Sequence, residues 1–164
     1  MGFSFPPACD HPTESLALLK DWLDSFVQRT LGEEGLASCT RQVGALDDLA
    51  VLGVRYGDLD IFIEVDAAQH VHLYVRLLAL AEPTAPSMLR FFSHLLTLNA
   101  FCLATAGATL ALDPDAPFVL LCARQPMRGL DVDLFVRWLS DFVRQADALH
   151  ESLQHALSLL EGAG

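Results

Sequence analysis

Apolar positions recur along this chain with two different periods. Leu16, Leu19, Leu23, Phe26, Val27 and Leu31 are spaced by three and four. That spacing predicts a helix over residues 14–31, opened near Thr13 and closed by Gly32. Leu18 and Trp22 form a second pair four apart, off that stripe, so the helix is apolar over more of its circumference than one core contact requires. Residues 32–45 are a polar loop with little periodic signal. From Leu49 the period falls to two, and strands are predicted over 49–55, 58–66 and 70–80, with turns at 56–57 and 67–69. In the middle strand Ile61, Ile63 and Val65 point one way, while Asp60, Phe62, Glu64 and Asp66 point the other. In the third, Val71, Leu73, Val75 and Leu77 share a face, opposite His72, Tyr74, Arg76, Leu78 and Leu80. The short turns make these strands an antiparallel meander.

The second half opens with a helix from about Pro86, a residue tolerated in a first turn. Met88, Leu89, Phe91, Phe92, Leu95, Leu96, Leu98, Phe101 and Cys102 leave few polar positions, and no solvent face is evident. A helix apolar all round is buried on all sides. A domain of this size has little of its own to cover it, so a second copy of the chain is the expected cover; the sheet of its own chain is the alternative. Strands follow over 108–113 and 118–125, with a turn at 113–117. The last helix opens on Asp131 as N-cap, with Leu130 and Phe135 placed as a hydrophobic staple. Its stripe runs from Leu134, Phe135, Trp138 and Leu139 to Leu157 and Leu160, with Arg137 and Asp141 able to pair on the wet side. The order is helix, three strands, helix, two strands, helix: an α+β domain over residues 14–161 in which an antiparallel sheet packs with helices. Pro6, Pro7 and Pro12 make residues 1–13 a flexible arm.

Composition narrows the function. At 164 residues with 52% apolar content, the chain has material for one real core. No apolar run is long enough to predict a membrane span, and the start reads as neither a signal peptide nor a myristoylation site. A cytoplasmic protein is the expectation. The net charge of −11 disfavours nucleic acid and anionic lipid, which attract proteins chiefly through Lys and Arg. Such a surface suits a soluble protein that handles sticky or basic polypeptide.

No concentrated chemistry emerges. Cys9, Cys39, Cys102 and Cys122 lie far apart, without the spacing of a zinc or redox site. Asp58, Asp60, Glu64 and Asp66 share one strand face, but flat strands are poor calcium ligands and a solvated acidic face is the better reading. His70 and His72 point the same way and lack a third ligand nearby in sequence. Cys39 or Cys102 with a histidine matches no nucleophile motif, and Gly32-Glu-Glu-Gly35 would repel phosphate. No cofactor, metal or enzymatic activity is expected.

The element order, with certain residues, resembles the class I chaperones of type III secretion systems, the Tir chaperone-like family. The matching pieces are Phe26 with Leu31-Gly32, then Leu89-Arg-Phe-Phe-Ser-His-Leu-Leu-Thr-Leu-Asn-Ala100, then Gly107-Ala-Thr-Leu-Ala-Leu-Asp-Pro114. Val119-Leu-Leu-Cys-Ala-Arg-Gln-Pro-Met127 follows, and Leu130-Asp131, Leu134, Trp138-Leu139, Phe142-Val143 and Ala146 complete the pattern. Ala111 stands where many relatives carry glycine, and Leu149 where an aromatic is frequent. The resemblance implies a homodimer without enzymatic activity. It implies binding to a segment near the N-terminus of one or more secreted effectors, kept soluble, non-globular and recognisable to the secretion ATPase. A regulator of the same fold, sequestering an anti-activator and coupling secretion to transcription, is the alternative. On this reading Leu18, Trp22, Phe62, Tyr74 and Leu78 are the candidate effector contacts, each with an ordinary core or dimer role as its alternative. Phe91, Leu95, Leu98, Phe101, Leu110 and Leu112 are the candidate dimer contacts.

Overall fold

The computed structural model describes residues 12–31, 42–46, 49–81, 88–100 and 105–161. Helix α1 spans Pro12–Phe26 and runs on into a π-helical turn, Val27–Leu31. It opens two residues earlier than its stripe predicts, with proline in the first turn, where the missing N–H has no partner to lose. Four strands follow: β1 Gln42–Leu46, β2 Leu49–Tyr56, β3 Leu59–Val65 and β4 His70–Ala79. Helix α2 is Met88–Asn99, β5 Thr109–Leu112, β6 Phe118–Pro126, and α3 the long helix Val132–Glu161. The six strands form one antiparallel sheet in the order β1-β2-β3-β4-β6-β5. Gly57 turns β2 into β3 at φ +56°, a conformation that favours glycine.

All three helices pack toward one face of the sheet, and the core lies between. Ile61, Ile63, Leu73, Val75, Val119 and Leu121 line the sheet side. Leu19, Leu23 and Phe26 of α1 meet them, with Phe91 of α2 and Phe135, Leu139, Phe142 and Leu153 of α3. Leu19, Leu23, Phe26 and Val27 of the α1 stripe are buried, and so are Phe135, Leu139, Phe142, Val143, Ala146, Leu149 and Leu153 of the α3 stripe, whereas Leu134, expected in that stripe, is exposed at the first turn. Asp131 caps α3: its Oδ1 accepts the Leu134 N–H at 2.8 Å, satisfying one of the helix's orphan donors. Leu130 and Phe135 both pack on the core.

Four expectations need correction. Residues 42–45, expected in a loop, pair together with Leu46 against β2 as an edge strand. Gln-Val-Gly-Ala-Leu is too short and too mixed to alternate visibly, so the pairing is imposed by the neighbouring strand rather than by its own propensity. Leu78 and Leu80 leave the face they would share with Tyr74. A bulge at Leu77 shifts the β4–β6 register between Arg76 and Leu78, putting Leu78 opposite buried Val119, and Leu80 is buried. One inserted residue reverses every side chain beyond it.

Helix α2 is not buried all round within the chain. Arg90, Ser93, His94 and Thr97, at i, i+3, i+4 and i+7, are exposed and form a polar stripe that a count of apolar residues conceals. Met88, Phe91 and Leu95 face the core. Finally, Asp141 pairs with Arg144 three residues on, not with Arg137.

Candidate functional site

The sheet face turned away from the helices carries a continuous cross-strand row. The registers place Thr109 opposite Cys122, Cys122 opposite Tyr74, Tyr74 opposite Phe62, and Phe62 opposite Gly53. Phe62 and Tyr74 stack at 5.2 Å between ring centroids and 19° between planes. Directly opposed aromatics of this kind stabilise an antiparallel pair. Gly53 has no side chain to set against Phe62 on the β2 side.

Polar groups flank this row on both sides and are paired among themselves. The Tyr74 hydroxyl donates to Glu64, and burial followed by that carboxylate pushes the phenol well above its ordinary value. His72 Nε2 donates to Asp66 at 2.8 Å, and the backbone N–H of His70 donates to the same carboxylate at 2.9 Å. Those two bonds hold Asp66 well below the usual carboxylate range. On the other flank Arg55 grips Asp60 through Nε at 2.7 Å and an Nη at 2.9 Å, and that grip lowers the Asp60 carboxyl. Arg76 lies 4.9 Å from the Phe118 ring centroid. Burial pushes the Cys122 thiol up, so it stays a neutral, soft apolar group here. An open hollow of about 590 Å³ lies over this region, lined by Glu64, Asp66, His72, Tyr74, Cys122 and Arg124.

His70 and His72 thus converge on Asp66, and among the described residues no group of three or more His, Cys, Asp or Glu is placed to hold a metal. The face is suited to contact, with apolar area at the centre and fixed charges at the rim.

A second exposed apolar surface lies on α2 and β5, where Leu89 is 72%, Leu96 71% and Leu112 48% exposed. The candidate dimer residues divide here. Phe91, Leu95 and Leu110 are buried in the chain's own core, Leu98 packs partly against it, Leu112 is exposed, and Phe101 lies outside the described residues. Leu89 and Leu96, one heptad apart beside the polar stripe, are exposed apolar positions that sequence reasoning did not single out; that spacing was the signal available.

The candidate effector contacts divide as well. Leu18 is 44% exposed on α1, whereas Trp22 is only 9% exposed and packs its ring 5.6 Å from that of Phe135. Trp22 is therefore a core residue of this chain. Phe62 and Tyr74 lie together on the open face, and Leu78 is turned partly into the core. Among the described residues no helix is long and apolar enough to cross a membrane.

Residues 45–150 match the family model of the Tir chaperone protein (CesT) family, well over half of the chain. The chain belongs to that family. Members of the CesT family bind other proteins and do not catalyse reactions; this chain is not an enzyme. Two solved structures share the CesT-like fold at low identity. The crystal structure of the ExsC–ExsE complex aligns with a TM-score of 0.58 at 15% identity, covering 82% of this chain and 96% of that one. The HopA1–SchA chaperone–effector complex aligns with a TM-score of 0.56 at 19% identity, covering 84% and 96%. No curated protein matches the sequence.

Proposed function

We propose that this CesT-family chain is a cytoplasmic type III secretion chaperone. As a homodimer it binds the segment near the N-terminus of one or more secreted effectors. It keeps that segment soluble and non-globular and presents it to the secretion ATPase. The observation that carries this reading is the open sheet face, where the stacked Phe62–Tyr74 pair and Cys122 lie uncovered by any described helix, within a family of chaperones. A wide apolar surface with a polar rim suits an extended ligand, which gains area along its length and needs no deep pocket. The SchA complex, a chaperone with its effector, supports the reading through its shared fold. Leu89, Leu96 and Leu112 supply the apolar side of the proposed dimer contact.

The test is affinity capture of the tagged protein from its own bacterium, with mass spectrometry and native molar mass on the eluate. The expected result is a dimer carrying a secreted protein, with capture lost when that protein's N-terminal segment is deleted. A dimer carrying only a regulatory protein would overturn it.

A further inference from the structure

Strand β5 ends the sheet, yet its outward backbone is largely occupied by side chains of its own protein. The Asp113 N–H points to β6, bonding the Phe118 carbonyl at 2.9 Å. In an antiparallel pair successive residues alternate in direction, so Thr109 and Ala111 also face β6, and Ala108, Leu110 and Leu112 face the free edge. At Leu110 the Asn99 side chain takes both groups. Its Nδ2 donates to the Leu110 carbonyl at 2.8 Å, and its Oδ1 accepts the Leu110 N–H at 2.8 Å. One amide offers the same donor and acceptor that a residue of an added strand would offer.

At Ala108 the arrangement repeats with Thr105, which is fully buried. The Thr105 carbonyl accepts the Ala108 N–H at 2.9 Å, and its Oγ1 donates to the Ala108 carbonyl at 2.6 Å. The turn that allows this passes through Ala106 at φ +49°, a left-handed conformation costly for a residue with a Cβ, and Gly107 at φ +88°, which glycine adopts freely. Only Leu112 has its outward backbone groups without a partner among the described residues.

We propose that Asn99 and Thr105 guard the β5 edge against strand pairing. A second copy of the chain meets this edge through the side chains of Leu89, Leu96 and Leu112, and the two sheets do not join through their backbones. An exposed edge of bare N–H and C=O groups is a template for uncontrolled addition, and here that template is reduced to one residue. The side-chain contact rests on the homodimer proposed above; the guarding of the edge does not.

Asn99→Ala tests the proposal by amide hydrogen exchange and by molar mass over a range of concentrations. Exchange at Leu110 is expected to accelerate at least about tenfold, with Thr109 and Ala111 unchanged, as local protection follows local bonding. Molar mass is expected to rise with concentration beyond that of the wild type. Unchanged exchange at Leu110 or a mass that never grows would each overturn the proposal. Should Asn99→Ala not fold, Asn99→Asp decides, because it keeps the acceptor for the Leu110 N–H. Slow exchange at Leu110 supports the guard, and fast exchange overturns it. A monomeric wild type would sink the homodimer reading alone, since the guard is judged against the wild-type mass whatever that is.

Discussion

The two faces of the sheet use apolar residues to different ends. The inner face is aliphatic and sealed: Ile61, Ile63, Leu73, Val75 and Leu121 lie under the helices with essentially no exposure. The outer face carries Phe62, Tyr74 and Cys122, half-buried by one another and edged by Glu64, His72, Asp60 and Arg55. Aliphatic residues interdigitate into a core of fixed shape, while aromatic and sulfur-bearing ones present broad, adaptable area with polar handles. Helix α2 repeats the contrast within one turn, since Leu95 is buried and its neighbour Leu96 is open. Apolar surface sealed at folding supports stability; apolar surface left open is available to partners.

Neighbouring residues on α2 break that comparison most sharply. Leu95→Asp buries an unpaired carboxylate, at a cost of several kcal/mol against a total stability of about 5–15 kcal/mol. No folded protein is expected by circular dichroism. Leu96→Asp should leave the fold and its melting temperature nearly intact while reducing molar mass to that of a monomer. A folded Leu95→Asp dimer would show that the two faces have been confused.

Trp22 gives the next largest effect. Its ring is packed against Phe135 and nearly sealed, so Trp22→Ala should cost about 3–5 kcal/mol, read from the urea midpoint. Phe62→Ala, on the open face, should cost only about 1 kcal/mol of stability from the lost stacking. Its main effect is on partner binding, where loss of a central aromatic is worth on the order of 2 kcal/mol, about thirtyfold in Kd. Titration of the captured effector segment against both variants checks this. Equal stability losses at Trp22 and Phe62 would remove the distinction between the faces.

Much of this was legible in the sequence, and the failures have physical causes. The central parts of the α1 and α3 stripes, the alternation of β3 and the Asp131 cap are local patterns dictated by period and hydrogen bonding, and they stand as read, with exposed Leu134 the exception in α3. Leu78 and Leu80 went wrong because alternation assumes an unbroken register, and the bulge at Leu77 is set by β6 from some forty residues away in the chain. Trp22 went wrong because a residue off the main stripe looks free until a second helix arrives beside it; Phe135 of α3 is that neighbour. Strand β1 has almost no pattern of its own. The Asn99–Leu110 bonds are beyond any periodicity, since they join a helix end to a strand across a turn.

The smallest effect separates the charged rim from the aromatic centre of the outer face. Asp66 accepts bonds from His72 and from the His70 backbone, and both hold its carboxyl below the ordinary value near 3.8. A carboxyl lowered by folding favours the folded state when ionised. Its contribution is therefore complete above the ordinary carboxylate range and is lost as pH falls through that range toward the lower, folded value. Asp66→Asn removes the charge while keeping an acceptor. The urea midpoint of the variant should fall slightly below that of the wild type at pH 6, and the gap should close as the pH is lowered past 4. The Phe62→Ala gap should stay constant over the same range, because stacking carries no proton. A gap at Asp66 that ignores pH would mean that its carboxylate holds the β3–β4 turn by shape alone, and that the rim of this face is no more electrostatic than its centre.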